Sequence, residues 1–149
     1  MDYSNIPGQI TFSPKHVSTL PNLGEVDIFR SIQYLPGVQL ALGSTSNLYI
    51  RGGSPDQNLI TLDGMTLYQT SHMFGFLSSI SKEAIKDVQI FRGHIPANFG
   101  GRTCSVIELM SRSGNNYKYG GSLYGNLMSS GISAEIPILK KGSAIINFR

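Results

Sequence analysis

Two arginines are the residues with the clearest chemical possibilities in this sequence. Arg51 and Arg92 each end a predicted strand, and each is followed directly by a glycine. An enclosed guanidinium needs a carboxylate partner, because removing one member of a buried ion pair costs about 3–5 kcal/mol. Acids on a structure outside this sequence could supply that partner. Four acids within the sequence could also do so, namely Asp56, Asp63, Asp87 and Glu108.

Signatures of catalysis and of metal binding are missing from the sequence. It has no G-x-S-x-G motif, no Walker loop, no H-E-x-x-H motif and no paired-cysteine spacing. His16, His72 and His94 each lie alone in a polar stretch, and a surface or loop role is favoured for each by about four to one. An envelope hydrolase would need Ser, His and Asp to converge in the fold. We therefore expect no enzyme, no metal site and no cofactor.

The composition indicates one domain with a short appendage. The 149 residues include 17 glycines, and they are 40% hydrophobic but only 14% charged, which favours strands and turns partly enclosed by another structure. The net charge of +3 comes from scattered basic residues, so no nucleic-acid partner is expected. A single Arg51-Gly52-Gly53 is weak evidence for RNA or phosphate binding, and a loop that needs glycine explains it better. Cys104 is the only cysteine, which excludes an internal disulfide.

The first half of the chain predicts a helix and a tight hairpin. Asn22 and Glu25 have the spacing of a capping box, and apolar residues follow at helical intervals as far as Pro36-Gly37. This pattern predicts a helix over about 23–35. Asp63-Gly64 between two apolar runs predicts a type I′ hairpin turn. The predicted strands of this hairpin are 59–62 and 65–68.

The second half predicts further strands, one short helix and a different tail. The helix begins near Ser81, and the alternating segments 87–91 and 106–110 predict strands, so residues 20–112 have an α+β pattern. After a polar break, alternation resumes with a phase slip near 129–131, which we interpret as a bulge. A turn at 140–143 then leads into a last strand, so the tail is predicted to be a hairpin.

Five sequence blocks resemble the plug domain of TonB-dependent receptors of the bacterial outer membrane. They occur in the order and spacing of that family over about residues 19–112. The blocks are Leu35–Val38, Tyr49–Gly53, Asn58–Gly64, Ile85–Gly93 and Pro96–Arg102. The amino-acid sequences of residues 51–58 and 72–76 are similar to those of receptors from Bacteroidetes-type bacteria.

The resemblance implies a small mixed β-sheet with short helices, seated inside a barrel of about 22 strands that the same chain builds afterwards. The expected divisions of the chain are an N-terminal lead segment (1–18), the plug (19–112), a linker (113–116) and the first two strands of the barrel, the second incomplete (117–149).

The resemblance also implies roles for individual residues. Arg51 and Arg92 match plug arginines that pair with barrel glutamates and hold the plug in place. Loops facing outside are implied to contact the ligand, and aromatic rings there could stack on a ring-shaped ligand or pack against the barrel wall. The implied structural turns are Gly52, Gly53, Asp63, Gly64, Gly93, Pro96, Gly100 and Gly101. The candidate ligand-facing residues are Ser54, Asp56, Gln57, Tyr68, His72, Phe74 and Phe76.

The implied function is a gate in the outer membrane. The plug would occlude the barrel, take part in recognising an extracellular ligand, and control energy-coupled uptake of a scarce nutrient such as a siderophore, cobalamin or a glycan. Its partners would be the remaining barrel and TonB, which adds a strand at a box that we expect upstream of the plug. Gly8–Phe12 is a weaker candidate for that box. The alternative is a truncated receptor product that acts as a soluble binding or signalling module without transport.

Overall fold

The computed structural model describes residues 2–3, 8–14, 27–41, 47–72, 77–125, 130–138 and 142–148. The α-helix α1 is Ile28–Ile32, and two short 3-10 helices are Pro55–Gln57 and Lys82–Ala84. The strands are β1 (Asp2–Tyr3), β2 (Gln9–Phe12), β3 (Val38–Leu40), β4 (Leu48–Ile50), β5 (Asn58–Leu62), β6 (Met65–Thr66), β7 (Ser71–His72), β8 (Leu77–Ser78), β9 (Ile85–Arg92), β10 (Ser105–Ser111), β11 (Gly120–Gly125), β12 (Ser130–Ile138) and β13 (Gly142–Phe148). Across the described ranges, every helix is too short or too polar to cross a membrane.

Six strands form one mixed sheet in the order β1-β2-β9-β10-β5-β6. β10 pairs antiparallel with β9 and parallel with β5, so that Ile107 lies between Ile90 and Ile60. The other neighbouring pairs are antiparallel. This mixed sheet with short helices confirms the predicted α+β class. The predicted strands 87–91 and 106–110 are confirmed within β9 and β10, and the short helix predicted near Ser81 is the 3-10 helix Lys82–Ala84.

One face of the sheet carries the main hydrophobic core. Side chains of alternate strand residues point to this face, where they pack with the apolar residues of α1. Each fully buried aliphatic or aromatic side chain contributes about 1.5–3 kcal/mol relative to an exposed one. The fully buried members of the core include Ile10, Val88, Ile90, Ile107 and Leu109 from the sheet, and Ile28, Phe29 and Ile32 from α1.

The opposite face of the sheet has a smaller apolar cluster at one end. Leu59, Phe91 and Val106 are buried there, and Ile95 and Phe99 pack against them. The ring centroids of Phe91 and Phe99 are 5.6 Å apart. This contact holds the loop that connects β9 to β10 against the sheet.

The helix prediction is confirmed in type, and its observed start is different. Asp27 is the N-cap, because its carboxylate accepts hydrogen bonds from the N–H groups of Phe29 and Arg30. The predicted capping box at 22–25 lies outside the described residues. The helix ends at Ile32, a few residues before Pro36-Gly37, where Gly37 has a φ of 77° that favours glycine.

The N-terminal strand corrects the predicted domain boundary. Residues 1–18 were expected to be a lead segment, but β2 is an internal strand of the sheet, with β1 on one side and β9 on the other. Ile10 and Phe12 are buried in the core. Gly8–Phe12 is therefore not a free strand, because Gln9–Phe12 pair with β9 and Ile10 and Thr11 also pair with β1.

The C-terminal sheet, β11 to β13, corrects the prediction of a bulged strand followed by a second one. β11 and β12 are antiparallel, and Gly125 pairs with Ser130, so the chain reverses direction where the bulge was predicted. The phase slip in the alternation marks this reversal. β12 then pairs antiparallel with β13, which gives three strands instead of two. The turn predicted at 140–143 begins outside the described residues.

Replacing Ile10 with alanine tests whether β2 belongs to the domain. Ile10 is 2% exposed, so Ile10→Ala is expected to lower the free energy of unfolding by about 2–5 kcal/mol, as measured by urea denaturation. Thr11→Ala, on the other face of the same strand, is the matched control and should cost far less. An equal and small effect of both variants would show that the segment is peripheral.

Candidate functional site

Two turns of the same geometry organise the candidate site. Asp63 and Gly64 have φ angles of 48° and 82°, and Arg51 and Gly52 have φ angles of 50° and 81°. Two consecutive positive φ angles are the mark of a type I′ turn. The first turn joins β5 to β6, as predicted. The second follows β4 and is closed by the Gly53 N–H, which donates to the Ile50 carbonyl at 2.9 Å.

The Asp63 turn is fastened to the end of β10. The Asp63 carboxylate accepts a hydrogen bond from the Ser111 N–H at 2.9 Å, and the Asp63 N–H donates to the Leu109 carbonyl at 2.9 Å. The hydrogen bonds to Ser111 lower the pKa of Asp63 below its usual value. This hydrogen bond thus offsets part of the energetic cost of the left-handed backbone at Asp63.

The Arg51 turn places its guanidinium beside Gly93. The Arg51 N–H donates to the Gly37 carbonyl at 2.9 Å, which fixes the turn on the loop after α1. A Cβ on Gly93 would lie 2.1 Å from Arg51 Nη1, so the absence of a side chain at Gly93 makes room for the guanidinium. Arg92 Nη1 donates to the Pro36 carbonyl. The structure therefore brings Arg51 and Arg92 together around the same loop.

The acids considered as partners of these arginines are engaged elsewhere or lie apart from Arg51. Within the described ranges, no carboxylate lies within ion-pair distance of the exposed Arg51 side chain. Asp63 binds Ser111. The pKa of Asp56 is lowered chiefly by a hydrogen bond from Ser54, with Arg102 adding to it.

A polar bridge connects the strand before the Arg51 turn to the middle of the sheet. The buried Asn58 side chain donates from Nδ2 to the Leu48 carbonyl at 2.6 Å. Its Oδ1 accepts a hydrogen bond from the Ser105 hydroxyl at 2.9 Å. Asn58 thus ties β4, β5 and β10 together. Asn58 was not among the predicted site residues, although a polar side chain at the start of an apolar strand is a signal that could have found it.

An open cleft of about 390 Å³ brings together two of the candidate ligand-facing residues, Asp56 and Tyr68. We call it the Asp56–Tyr68 cleft. Arg102 also lines it, and this residue was not among the predicted contacts. Tyr68 is 89% exposed. The cleft therefore combines a free aromatic face with one anionic and one cationic side chain.

The other predicted site residues fall in different places. Ser54 and Gln57 do not line the cleft, and the Gln57 side chain accepts a hydrogen bond from the Cys104 thiol at 3.0 Å. His72 is described only as part of the backbone of β7, and Phe74 and Phe76 lie outside the described residues.

The predicted turn residues differ in what their surroundings require. Gly53 packs so closely on Cys104 that a Cβ would lie 2.1 Å from Sγ, and Gly101 has a φ of 82°. The Pro96 carbonyl accepts from the Phe99 N–H in a turn. Nothing around Gly100 requires a glycine. Among the described side chains, no group of three metal-ligating residues is close enough to hold a metal ion.

Comparison with known proteins identifies the fold. A family profile for the TonB-dependent receptor plug domain matches residues 12–106. No curated protein matches the chain. The solved structures similar to it include transport receptors. Because the sequence identities are low, these similarities give information on the fold alone. The Bacteroidetes-type subgroup stays a prediction.

Three of these structures illustrate the similarity. A mutant of the ferric enterobactin receptor PfeA from Pseudomonas aeruginosa has a TM-score of 0.69 at 16% identity, over 96% of this chain and 24% of that one. The siderophore receptor PirA from Acinetobacter baumannii gives 0.65 at 20% identity, over 91% and 23%. The ferric-catecholate import receptor Fiu from E. coli gives 0.60 at 15% identity, over 93% and 20%. This chain thus spans about a quarter or less of the length of these receptors.

The Asp63 turn predicts a specific response to acid. The folded-state pKa of Asp63 is lowered, so its bond to Ser111 stabilises the fold fully above about pH 4 and is lost as the pH falls through the folded pKa. Asp63→Asn keeps an acceptor for Ser111 and suits the turn, but it does not ionise. Urea unfolding should show a constant difference between the two proteins from about pH 5 to 8, and a shift against the wild type below about pH 4. Parallel pH profiles would contradict this.

Proposed function

We propose, since this chain belongs to the TonB-dependent receptor plug domain family, that it closes the barrel of an outer-membrane receptor and gates energy-coupled uptake through it. The family match covers residues 12–106. Members of the family similar in structure are transport receptors. The proposal places the plug inside the barrel, where it is reachable from the periplasm.

The observation that carries the proposal is the backbone of Arg51. A residue other than glycine held in the left-handed region costs on the order of 1–3 kcal/mol, and glycine or asparagine would fit this turn at lower cost. The twin turn at Asp63 gains a local hydrogen bond in return. Arg51 gains no ion pair from the described residues. Its presence there is explained if a partner outside this chain segment needs the guanidinium.

Arg92 lies at the same loop, where its Nη1 donates to the Pro36 carbonyl. Glutamates on the barrel wall, which the resemblance implies, would supply an acid for the exposed Arg51 guanidinium. We propose that Arg51 and Arg92 lock the plug to the barrel in this way.

The C-terminal sheet supports its proposed role as the beginning of the barrel. Leu123, Ile132 and Phe148 form one row across β11, β12 and β13. Leu123 is 82% exposed and Phe148 is 75% exposed. A row of apolar side chains on the outer face is what the hydrocarbon of a membrane would cover.

The Asp56–Tyr68 cleft is the proposed contact with the ligand. Tyr68 offers an exposed ring for stacking, while Asp56 and Arg102 offer hydrogen bonds of either charge. We propose that His72, Phe74 and Phe76, which follow Tyr68 in the sequence, contribute to the same contact. The similar receptors of known structure include siderophore receptors, so a ferric siderophore is the first ligand to test, and cobalamin and glycans are the others.

The proposed role of TonB is to act on a segment that precedes the sheet. TonB would pair by strand addition, which needs free backbone groups. β2 is already paired along its length with β9, and Ile10 and Thr11 also pair with β1. We therefore place the TonB-binding segment upstream of Gly8.

Replacing Arg51 with asparagine separates the locking role from the fold. Arg51→Asn should leave the free energy of unfolding of the plug unchanged or raise it by up to about 1 kcal/mol, because asparagine tolerates the left-handed turn. In the complete receptor it should loosen the plug and raise influx of a small solute severalfold. A chromogenic cephalosporin hydrolysed by a periplasmic β-lactamase reports that influx.

The control for this experiment is Arg102→Asn, which removes an exposed loop arginine of the cleft and should not change influx. Arg92→Gln is the second test variant and should also raise it. Unchanged influx in both Arg51→Asn and Arg92→Gln would refute the locking role.

Replacing Tyr68 with alanine tests the cleft. A panel of ferric siderophores, cobalamin and oligosaccharides is first titrated into the purified receptor by calorimetry. For the compound that binds, Tyr68→Ala should weaken binding about tenfold, since an aromatic contact contributes about 0.5–1.5 kcal/mol beyond its buried area. Tyr117→Ala, which removes a ring that is 81% exposed elsewhere, is the control. Equal affinity of wild type and Tyr68→Ala would exclude the cleft as the binding site.

A further inference from the structure

The segment between the two sheets is held at several points, although its polar sequence suggested a simple linker. The Arg112 N–H donates to the Ala84 carbonyl at 2.8 Å, which fixes the start of the segment on the second 3-10 helix. Asn115 Oδ1 accepts hydrogen bonds from the N–H groups of Tyr117 and Lys118, at 2.9 and 3.2 Å. These bonds turn the chain toward β11.

Glu135 of β12 is the residue on which this segment converges. One carboxylate oxygen of Glu135 forms an ion pair with the Arg112 guanidinium. The other oxygen accepts a hydrogen bond from the Asn115 N–H at 3.1 Å. The Glu135 side chain is only 16% exposed, and that of Arg112 is 35% exposed. Hydrogen bonds to a charged acceptor are stronger than those between neutral groups, and partial burial reduces their screening by salt.

Gly114 brings the segment against the C-terminal sheet. A Cβ at this position would lie 3.1 Å from Ser143 Cβ, 3.1 Å from Ile145 Cγ1 and 3.2 Å from the Ala144 carbonyl oxygen. A Cβ there would be in tight contact, so the neighbouring atoms of β13 would have to move by a few tenths of an ångström. Residues 112–115 are therefore held in two ways. They are bonded to β12, and their backbone lies close to β13.

We propose that Glu135 is an anchor. It holds residues 112–115, the segment that follows β10 at the end of the plug, on the C-terminal sheet. Arg112 belongs to the plug side, because it follows β10 directly and bonds to Ala84. Glu135 belongs to the other sheet. The anchor joins the two by side chains as well as by the chain itself, so that the end of β10 stays fixed to β12 when the rest of the plug rearranges. This inference does not depend on the ligand or on the locking role of Arg51 and Arg92.

Amide hydrogen exchange in the complete receptor tests the anchor. In the wild type, the Asn115 amide should exchange at least about tenfold more slowly than in an unstructured peptide, as expected for a bond to a charged acceptor. Glu135→Ala should raise exchange at Asn115 by about tenfold, and at Tyr117 and Lys118 as well. Exchange within Val106–Leu109 should not change. Glu108→Ala, which removes an acid of β10 that has no ion pair among the described residues, is the matched control.

Two further variants complete the test. Arg112→Gln should also raise exchange at Asn115, because Glu135 is then held by one partner fewer. The charge-reversed pair Arg112→Glu with Glu135→Arg should leave exchange at Asn115 fast, because the carboxylate acceptor of its N–H is gone. Unprotected Asn115 in the wild type, or unchanged exchange at Asn115 in both Glu135→Ala and Arg112→Gln, would overturn the proposal. If Glu135→Ala does not fold, the wild type and Arg112→Gln decide the outcome.

Discussion

The double pairing of β10 is the constraint on which the rest of the structure depends. This strand pairs antiparallel with β9 and parallel with β5, so its backbone groups are satisfied on both sides. At its start, Ser105 bonds to Asn58 and so positions β4 and the Arg51 turn. At its end, Ser111 holds the Asp63 turn, and Arg112 reaches Glu135. The arginine pair and the anchor are therefore placed at opposite ends of one strand.

The two left-handed turns show how similar backbones can serve different purposes. Both have a residue other than glycine at the first position and a glycine at the second. The Asp63 side chain stabilises the fold by accepting a hydrogen bond from the Ser111 N–H. Arg51 places its guanidinium beside Gly93. A strained backbone without local compensation is a reason to look for function at that residue.

Features encoded by neighbouring residues could be predicted from the sequence, and features that depend on distant ones could not. The Asp63-Gly64 turn, β9, β10 and the presence of α1 follow from local turn chemistry and from periodicity. The inclusion of β2 in the sheet depends on its pairing with β9. The residues near Ile10 carry no signal that predicts this pairing. The reversal between β11 and β12 was visible as a phase slip, which a bulge or a turn explains equally well. Arg51 and Arg92 could be found because glycine follows each of them. The roles of Asn58, Arg102 and Glu135 arise from contacts across the fold.

The pairing of β2 with β9 has a consequence for the order in which the domain can form. Gln9 meets Gln89 at a separation of 80 residues, and Asn58 meets Ser105 at a separation of 47. Contacts so distant along the chain must close large loops before they contribute any stability, so folding is slow compared with folds built from local contacts. The sheet cannot be completed until β10 has been synthesised. β2 therefore stays without this partner until β9, which lies 80 residues further along the chain, is available to pair with it.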